Sequence, residues 1–202
     1  LHGACIIGTS RGGLIAMALA AVQPSIIGAV VLNDIGPVIE RDGLARIAGY
    51  AGRMPLPRSW NDAAELVAGM SRRHFPDVPA EQWGEVARAW FNDKNGMPAP
   101  GYDAAIGRTI PVTAAPLPEL WPQFMALSGV PMLAIRGANS DILSESIHAE
   151  MQRRHPDCAN LLVHGQGHAP LLKDQPTIAA IARFLAATDA GEKVSGRAFN
   201  TN

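Results

Sequence analysis

The chain has 202 residues, of which 48% are hydrophobic and 17% are charged, and its formal net charge is −1. This balance is typical of a globular domain with a sizeable core and excludes a disordered chain. Lysine and arginine are scattered, which excludes the concentrated basic face that nucleic acid or anionic lipid requires. No apolar run approaches a membrane span and no signal peptide is visible, so we expect a cytoplasmic protein.

Short apolar runs alternate with amphipathic helical patterns along most of the chain. The first run, residues 4–8, ends at Gly8 and reads as a buried strand, and the pattern after it predicts a helix over 11–22. The later predicted strands are 27–32, 130–135 and 160–164, and the later predicted helices are about 144–154 and 176–187. Strands that alternate with helices predict an α/β protein whose mostly parallel sheet is covered on both faces.

Residues 37–116 interrupt this alternation with a proline-rich segment that carries two amphipathic helices. One helix has its apolar stripe between Ala63 and Met70, with Asp62 and Glu65 in a capping-box-like spacing, and the other between Trp83 and Phe91. Such an insertion between two strands of a parallel sheet predicts a helical cap. The predicted organisation is a core of residues 1–36 and 117–187, a cap over 37–116, and a loose polar tail over 188–202.

A serine stands between two glycines where the first strand meets the first helix, in Gly8-Thr9-Ser10-Arg11-Gly12. A serine on so tight a turn has strained backbone angles, and neighbours two residues away must lack side chains. The turn lifts the Ser10 hydroxyl above the sheet, and the helix start brings the Arg11 backbone N–H near a reacting carbonyl. The motif predicts Ser10 as a nucleophile and Arg11 N–H as an oxyanion donor.

A serine nucleophile needs a general base, and two histidines follow the last predicted strand. His168 lies in the glycine-rich loop 165–170 and can reach over the sheet, so it is the favoured base. His164 at the strand end is the alternative. The base in turn needs a carboxylate on its other nitrogen. Asp141, after the strand 130–135, is favoured by its loop position and by the order nucleophile, acid, histidine, with Asp34 after strand 27–32 as the competitor.

Together, the segments 8–13, 137–141 and 165–170 resemble the α/β-hydrolase superfamily, in its branch of capped esterases, lactonases and carbon–carbon hydrolases. The resemblance covers nearly all of residues 3–187. It implies a larger, mostly parallel sheet whose last four strands resemble those predicted here, so the N-terminal half of the sheet is absent from this chain and the first strand is expected to be an exposed apolar edge. We therefore expect an N-terminal segment of the same protein to complete the sheet and to supply the second oxyanion donor. A serine at position 10 argues against dehalogenase and epoxide hydrolase activities, which use an aspartate.

The expected activity is hydrolysis of a small ester or lactone through an acyl-enzyme. Carbon–carbon bond hydrolysis and perhydrolysis use the same triad and stay open, as does a catalytically slow ligand-binding protein. The expected partner is a small-molecule substrate, a homo-oligomer is not excluded, and neither a metal nor an organic cofactor is implied. Candidate residues of the substrate pocket are Asp34, Ile35, Trp60 and Trp90. Cys5 and Cys158 both lie in apolar runs and are expected to be buried free thiols.

Overall fold

The structure is a computed structural model that describes residues 2–110, 117–197 and 199. The helices and strands in chain order are β1 (Ala4–Thr9), α1 (Arg11–Val22), β2 (Ile27–Asn33), α2 (Arg41–Tyr50), α3 (Trp60–Ser71), α4 (Trp83–Trp90), β3 (Phe91–Lys94), β4 (Met97–Pro100), α5 (Trp121–Met125), β5 (Met132–Gly137), α6 (Glu145–Arg154), β6 (Cys158–Val163) and α7 (Gln175–Asp189). No helix in these described ranges is long and apolar enough to span a membrane.

The chain divides into two compact units, residues 1–41 with 117–202 and residues 42–116. The predicted insertion begins at residue 37, whereas the observed division comes after Arg41. Two backbone hydrogen bonds explain the later boundary: Leu120 N–H donates to the Pro37 carbonyl, and Glu40 N–H donates to the Ile142 carbonyl. Residues 37–41 are thereby attached to the first unit.

The first unit contains a four-stranded parallel sheet in the order β1-β2-β5-β6. Helices follow each of these strands along the chain, as right-handed crossovers in parallel sheets require. The predicted α/β class and parallel sheet are confirmed. The predicted strand positions differ from the observed ones by no more than two residues, because the backbone pairing extends beyond the apolar residues of each strand.

One core cluster of the first unit lies between the sheet and α7. Alternate strand residues form it, since side chains in a strand point to opposite faces with a period of two. Phe184 on α7 is fully buried there, and its ring meets that of Phe199 edge to face. Val194 is also fully buried, and Asp157 accepts hydrogen bonds from the N–H groups of Val194 and Ser195. The prediction of a loose polar tail is therefore wrong for this segment.

Strand β1 is the edge of the sheet and pairs only with β2 among the described residues. Its side chains alternate between exposed and partly buried, and Ile7 is 49% exposed. On α1, Ile15 is 61% and Val22 80% exposed. The apolar run by itself predicted a buried strand, which is wrong, whereas the exposed apolar edge expected from the family resemblance is observed. The expectation that Cys5 is buried is wrong, and Cys158 is buried. The exposed residues form an apolar edge, which is uncommon on an isolated soluble domain.

The second unit contains α2, α3, α4 and a β-hairpin formed by β3 and β4. Helix α3 begins one turn earlier than the sequence pattern predicts, because the Ser59 hydroxyl accepts a hydrogen bond from Asp62 N–H and so forms the N-cap. The hairpin was not predicted. Its turn is Asn95-Gly96, and both residues have positive φ, which is the typical sequence of a tight two-residue hairpin turn.

Candidate active site

Ser10 lies on a strained turn at the carboxyl end of β1. Its backbone angles are φ 50° and ψ −118°, a region that L-residues rarely adopt. Its N–H donates to the Asn33 carbonyl at 3.1 Å, while its own carbonyl accepts the N–H groups of Gly13 and Leu14. The same residue thus ends the strand and starts the first turn of α1, so that its side chain projects from the rim of the sheet.

Close packing around the turn explains two of its glycines. A Cβ on Gly8 would lie 2.7–2.8 Å from backbone atoms of Gly12 and Gly13, and a Cβ on Gly13 would lie 2.3 Å from the Ile35 side chain. A Cβ on Gly12, by contrast, would meet nothing within 4 Å. The expectation that glycine is sterically required on both sides of the serine is therefore correct for Gly8 and wrong for Gly12. The second position where a side chain would collide is Gly13.

The structure brings Ser10, His168 and Asp34 into one hydrogen-bonded line. The distance from His168 Nε2 to Ser10 Oγ is 2.9 Å, and that from His168 Nδ1 to Asp34 Oδ2 is also 2.9 Å. The Asp34 side chain is fully buried and that of His168 is 6% exposed. Because a carboxylate can only accept, Nδ1 carries the proton of the neutral ring. Nε2 then has its lone pair toward the serine hydroxyl, which is the arrangement of a general base.

The carboxylate next to His168 belongs to Asp34, and the prediction that Asp141 orients the imidazole is corrected on this point. Asp34 directly follows β2 with φ 55°, a left-handed conformation that Asp tolerates better than most residues, and its N–H donates to the Ile135 carbonyl at 2.8 Å. This sharp turn directs its side chain to the imidazole. Asp34 was also a candidate residue of the substrate pocket, but it is completely buried and so exposes no surface to a pocket.

The loop that carries Asp141 supports Asp34. Gly137 N–H donates to Asp34 Oδ1 at 2.7 Å, and the Ser140 hydroxyl donates to Asp34 Oδ2 at 2.5 Å. Ser140 Oγ in turn accepts the N–H groups of Ile142 and Leu143, which leaves its proton for the carboxylate. With His168 included, three donors compensate the burial of the charge, since charge-assisted hydrogen bonds are the strong ones.

His168 is held in an ordered loop, residues 164–174, which we call the histidine loop. The Gln166 carbonyl accepts from Asn139 N–H, and the Gln166 side chain bonds both Leu171 N–H and the Asp174 carboxylate. The loop approaches β5 so closely that a Cβ on Gly137 would lie 2.5–2.6 Å from two of its backbone oxygens. The close packing of this loop sets the imidazole position.

The other predicted site residues are Arg11, Ile35, Trp60 and Trp90. Arg11 is the first residue of α1, and its part in an oxyanion hole stays a prediction. Ile35 is 2% exposed and packs under the turn near Gly13, so it does not line an open pocket. Trp60 and Trp90 belong to the second unit, where the Arg88 guanidinium lies over the Trp60 ring and Trp90 is near Tyr50.

The second unit contains a cavity of about 120 Å³. The residues that line it include Met54, Leu56, Phe91 and Tyr102, but neither of the predicted tryptophans. The roles of Trp60 and Trp90 in a substrate pocket, and of the second unit as a cap, stay predictions.

Three other histidines and Cys158 have surroundings that differ from those of His168. His164 is exposed. His148 and His155 are buried against backbone carbonyls, and burial lowers the pKa of each imidazole below its ordinary value. Burial raises the pKa of the Cys158 thiol to about 12. Within residues 2–110, 117–197 and 199, no cluster of three or more His, Cys, Asp or Glu side chains is placed to bind a metal.

Comparison with known proteins identifies two relatives of characterised chemistry. The chain is 32% identical over 190 residues to the 3-hydroxybutyrate-oligomer hydrolase of Cupriavidus necator, which covers 88% of this chain and 63% of the relative. It is 25% identical over 184 residues to the 2-(acetamidomethylene)succinate hydrolase of Mesorhizobium japonicum, which covers 90% of this chain and 64% of that protein. No protein-family model matches the chain.

Solved structures share the fold. The crystal structure of an α/β hydrolase from Novosphingobium aromaticivorans superposes with a TM-score of 0.82 at 39% sequence identity, covering 92% of this chain and 66% of that one. The crystal structure of E-2-(acetamidomethylene)succinate hydrolase superposes with a TM-score of 0.71 at 25% identity. The chain spans a little under two thirds of the length of the curated relatives described above.

Proposed function

Because the chain belongs to the α/β-hydrolase superfamily, we propose that it is a serine hydrolase of carboxylic esters with Ser10, His168 and Asp34 as its catalytic triad. The observation that carries the proposal is the unbroken hydrogen-bonded line from the Ser10 hydroxyl through the imidazole to a buried carboxylate. A nucleophile, a base and an orienting acid are the three parts that acyl transfer requires, and they are recognised by geometry and role.

The proposed reaction has two half-reactions. Ser10 Oγ attacks the ester carbonyl while His168 Nε2 takes the hydroxyl proton, and Asp34 stabilises the imidazolium that results. The imidazolium then protonates the departing alkoxide, which leaves as an alcohol and gives an acyl-enzyme on Ser10. His168 next removes a proton from water as the water attacks the acyl group, and the imidazolium then returns that proton to Ser10 Oγ as the acyl bond breaks and the acid is released. The N-terminus of α1, beginning at Arg11, is the proposed site of the oxyanion.

We propose short 3-hydroxyacyl esters as the first substrate class to examine, because a 32% identical relative is named a hydrolase of 3-hydroxybutyrate oligomers. Lactones, carbon–carbon substrates and perhydrolysis depend on the same triad, so only substrate comparison separates them. Release of 3-hydroxybutyrate from its dimer and trimer should be measured beside hydrolysis of p-nitrophenyl acetate and butyrate. 2-(Acetamidomethylene)succinate, named in the more distant relative, should be included as the competing substrate.

The variants that test the triad have matched controls in the same unit. Ser10→Ala should lower kcat by about 10⁴-fold or more, whereas Ser25→Ala, at an exposed turn, should retain wild-type kcat. His168→Gln should be similarly inactive, whereas His164→Gln, at the exposed end of β6, should not. Wild-type hydrolysis by Ser10→Ala, with the protein folded, would refute the assignment of the nucleophile.

We further propose that strands from an N-terminal segment of the same protein pair with β1. The support is the apolar edge formed by β1 and α1, including Ile7 and Ile15, and such edges in soluble proteins are normally covered. In the full-length protein, the amide hydrogens of residues 4–9 should then exchange as slowly as those of β2. Rapid exchange along β1 would refute the pairing. Dimerisation of the present chain through this edge, seen by light scattering and lost in Ile7→Asp, would identify a second copy as the partner instead.

A further inference from the structure

Asn33, the last residue of β2, connects the strand of the nucleophile to the loop of the base. Its backbone carbonyl accepts Ser10 N–H at 3.1 Å. Its side-chain Nδ2 donates to Thr9 Oγ1 at 3.1 Å and to the Pro170 carbonyl at 3.0 Å. Pro170 lies two residues after His168. One 1% exposed side chain thus bridges β1 and the histidine loop, directly beside Asp34 in the chain.

The Asn33 amide has one possible orientation. The Pro170 carbonyl can only accept, so the nitrogen must face it and the oxygen must face away. In this orientation Asn33 Oδ1 is buried and has no hydrogen-bond partner among the residues that the structure describes. A buried acceptor without a hydrogen-bond partner lowers stability by about 1–3 kcal/mol, so we infer that the hydrogen bonds donated by Asn33 Nδ2 compensate this loss. A carboxylate in place of the Asn33 amide could not donate a hydrogen bond to the Pro170 carbonyl, and an aliphatic side chain could form a hydrogen bond with neither Pro170 nor Thr9.

Besides the His168–Ser10 hydrogen bond itself, the histidine loop is held by hydrogen bonds of Gln166 that do not involve β1. The Gln166 carbonyl bonds Asn139, after β5, and the Gln166 side chain bonds Leu171 and Asp174 within the loop itself. These contacts fix the loop's own shape and its position over β5. The Asn33 amide connects the same loop to the strand that leads to Ser10, independently of the His168–Ser10 hydrogen bond.

We propose that Asn33 is a positioning residue that sets the distance between His168 Nε2 and Ser10 Oγ. This inference rests on the proposed function, in which that distance governs proton transfer. Asn33 would touch neither the substrate nor the reacting atoms, and it would act through Pro170 on one side and Thr9 and Ser10 on the other. A misplacement of about 1 Å can cost about 10²-fold in rate.

The test compares Asn33→Ala with Asn160→Ala. Asn160 lies on β6 in the same sheet, and its amide donates to the His148 carbonyl at 3.0 Å, away from the triad. Both variants lose an amide-to-carbonyl hydrogen bond, so both should be less stable in urea. Asn33→Ala should lower kcat by about 10- to 100-fold with KM within threefold of wild type. Asn160→Ala should retain kcat within twofold.

Thr9→Val provides a second route, because it removes the other anchor of the Asn33 amide with nearly the same shape. It should lower kcat by about 3- to 10-fold, and its effect should be less than multiplicative with that of Asn33→Ala because both break the same bridge. Retention of wild-type kcat by folded Asn33→Ala would overturn the proposal. If Asn33→Ala does not fold, wild-type kcat in Thr9→Val would overturn it.

A readout independent of turnover separates this proposal from the proposed function. In the wild-type protein the Nδ1–H of His168, bonded to Asp34, should give a low-field proton resonance, assigned by its loss in His168→Gln. If the wild-type protein hydrolyses no ester, the proposed function fails and this resonance decides the positioning role. Broadening or upfield movement in Asn33→Ala, but not in Asn160→Ala, would then support it, and an unchanged resonance would overturn it.

Discussion

Replacing Asp34 by asparagine should reverse the hydrogen-bonding direction of the whole triad. Gly137 N–H donates to Asp34 Oδ1 at 2.7 Å, so the oxygen of an introduced amide must stay on that side. The amide nitrogen then faces His168 Nδ1, where the wild-type acceptor Oδ2 lies 2.9 Å away. Nδ1 must accept, the ring proton moves to Nε2, and Nε2 can no longer take the proton of Ser10.

The expected cost is a drop in kcat of about 10⁴-fold, the size reported for the same change in the serine-protease triad, where it also produces the wrong tautomer. At 1.36 kcal/mol for each tenfold change, this is about 5.5 kcal/mol of lost transition-state stabilisation. KM should change little, because the Asp34 side chain is completely buried and touches no substrate.

The matched control is Asp141→Asn, since Asp141 is the acid that chain order favours. Its kcat should stay within about threefold of wild type. Both variants should be assayed on one p-nitrophenyl ester, with circular dichroism and urea unfolding to establish that each is folded. A 10⁴-fold loss in Asp141→Asn together with near-normal turnover in Asp34→Asn would refute this prediction and identify Asp141 as the acid of the triad.

Three further predictions concern packing and pH. Gly8→Ala should lower the free energy of unfolding in urea by about 1–3 kcal/mol or more, because the added Cβ would lie 2.7–2.8 Å from backbone atoms. Gly12→Ala should raise it by about 0.5–1 kcal/mol, because the added Cβ meets nothing within 4 Å. Equal effects of the two substitutions would contradict this. Gly137→Ala should lower kcat by about tenfold or more by displacing the histidine loop, and unchanged kcat would count against that packing. Since burial lowers the pKa of His148 and His155, the unfolded chain takes up protons below about pH 6.5 that the folded protein does not. The free energy of unfolding should therefore fall as the pH is lowered from 7.5 to 5.5, by at most about 1.4 kcal/mol per pH unit for each of the two histidines. In His155→Gln this fall should be smaller, and a fall as large as that of the wild type would contradict the prediction.

The strained turn at Ser10 could be predicted from the sequence because its requirements are local. A tight strand-to-helix turn leaves no room for a side chain at Gly8, and the apolar runs on both sides of Ser10 identify the strand and the helix. His168 could be identified as well, because a loop that follows the last strand of a parallel sheet must lie at the same rim as the nucleophile.

The choice of acid could not be made from loop position. Asp34 and Asp141 both follow strands that end at the same rim, so the sequence alone puts both within reach of His168. What decides between them is backbone conformation: Asp34 turns sharply at φ 55° toward His168, whereas the second loop contacts the Asp34 carboxylate through Gly137 N–H and the Ser140 hydroxyl. The available sequence signal was distance along the chain: Asp34 lies two residues after the predicted strand 27–32, whereas Asp141 lies six residues after the predicted strand 130–135.

Composition also misled in two places. The segment after residue 188 is polar on average, yet Val194 and Phe199 are buried in the core of the first unit. The run at residues 4–8 is apolar, yet Ile7 is half exposed because β1 has one neighbouring strand among the described residues. In both cases the burial of a segment depends on which elements pack against it, and the hydropathy of the segment itself does not show which elements these are.

The central claim is that Ser10 is a nucleophile activated by His168. The most direct measurement is peptide mapping by mass spectrometry after reaction with a fluorophosphonate probe. The account predicts one adduct, on the peptide that contains Ser10, which is absent in Ser10→Ala and forms at least about 10³-fold more slowly in His168→Gln. An adduct at another residue, or labelling of Ser10→Ala at the wild-type rate, would contradict it.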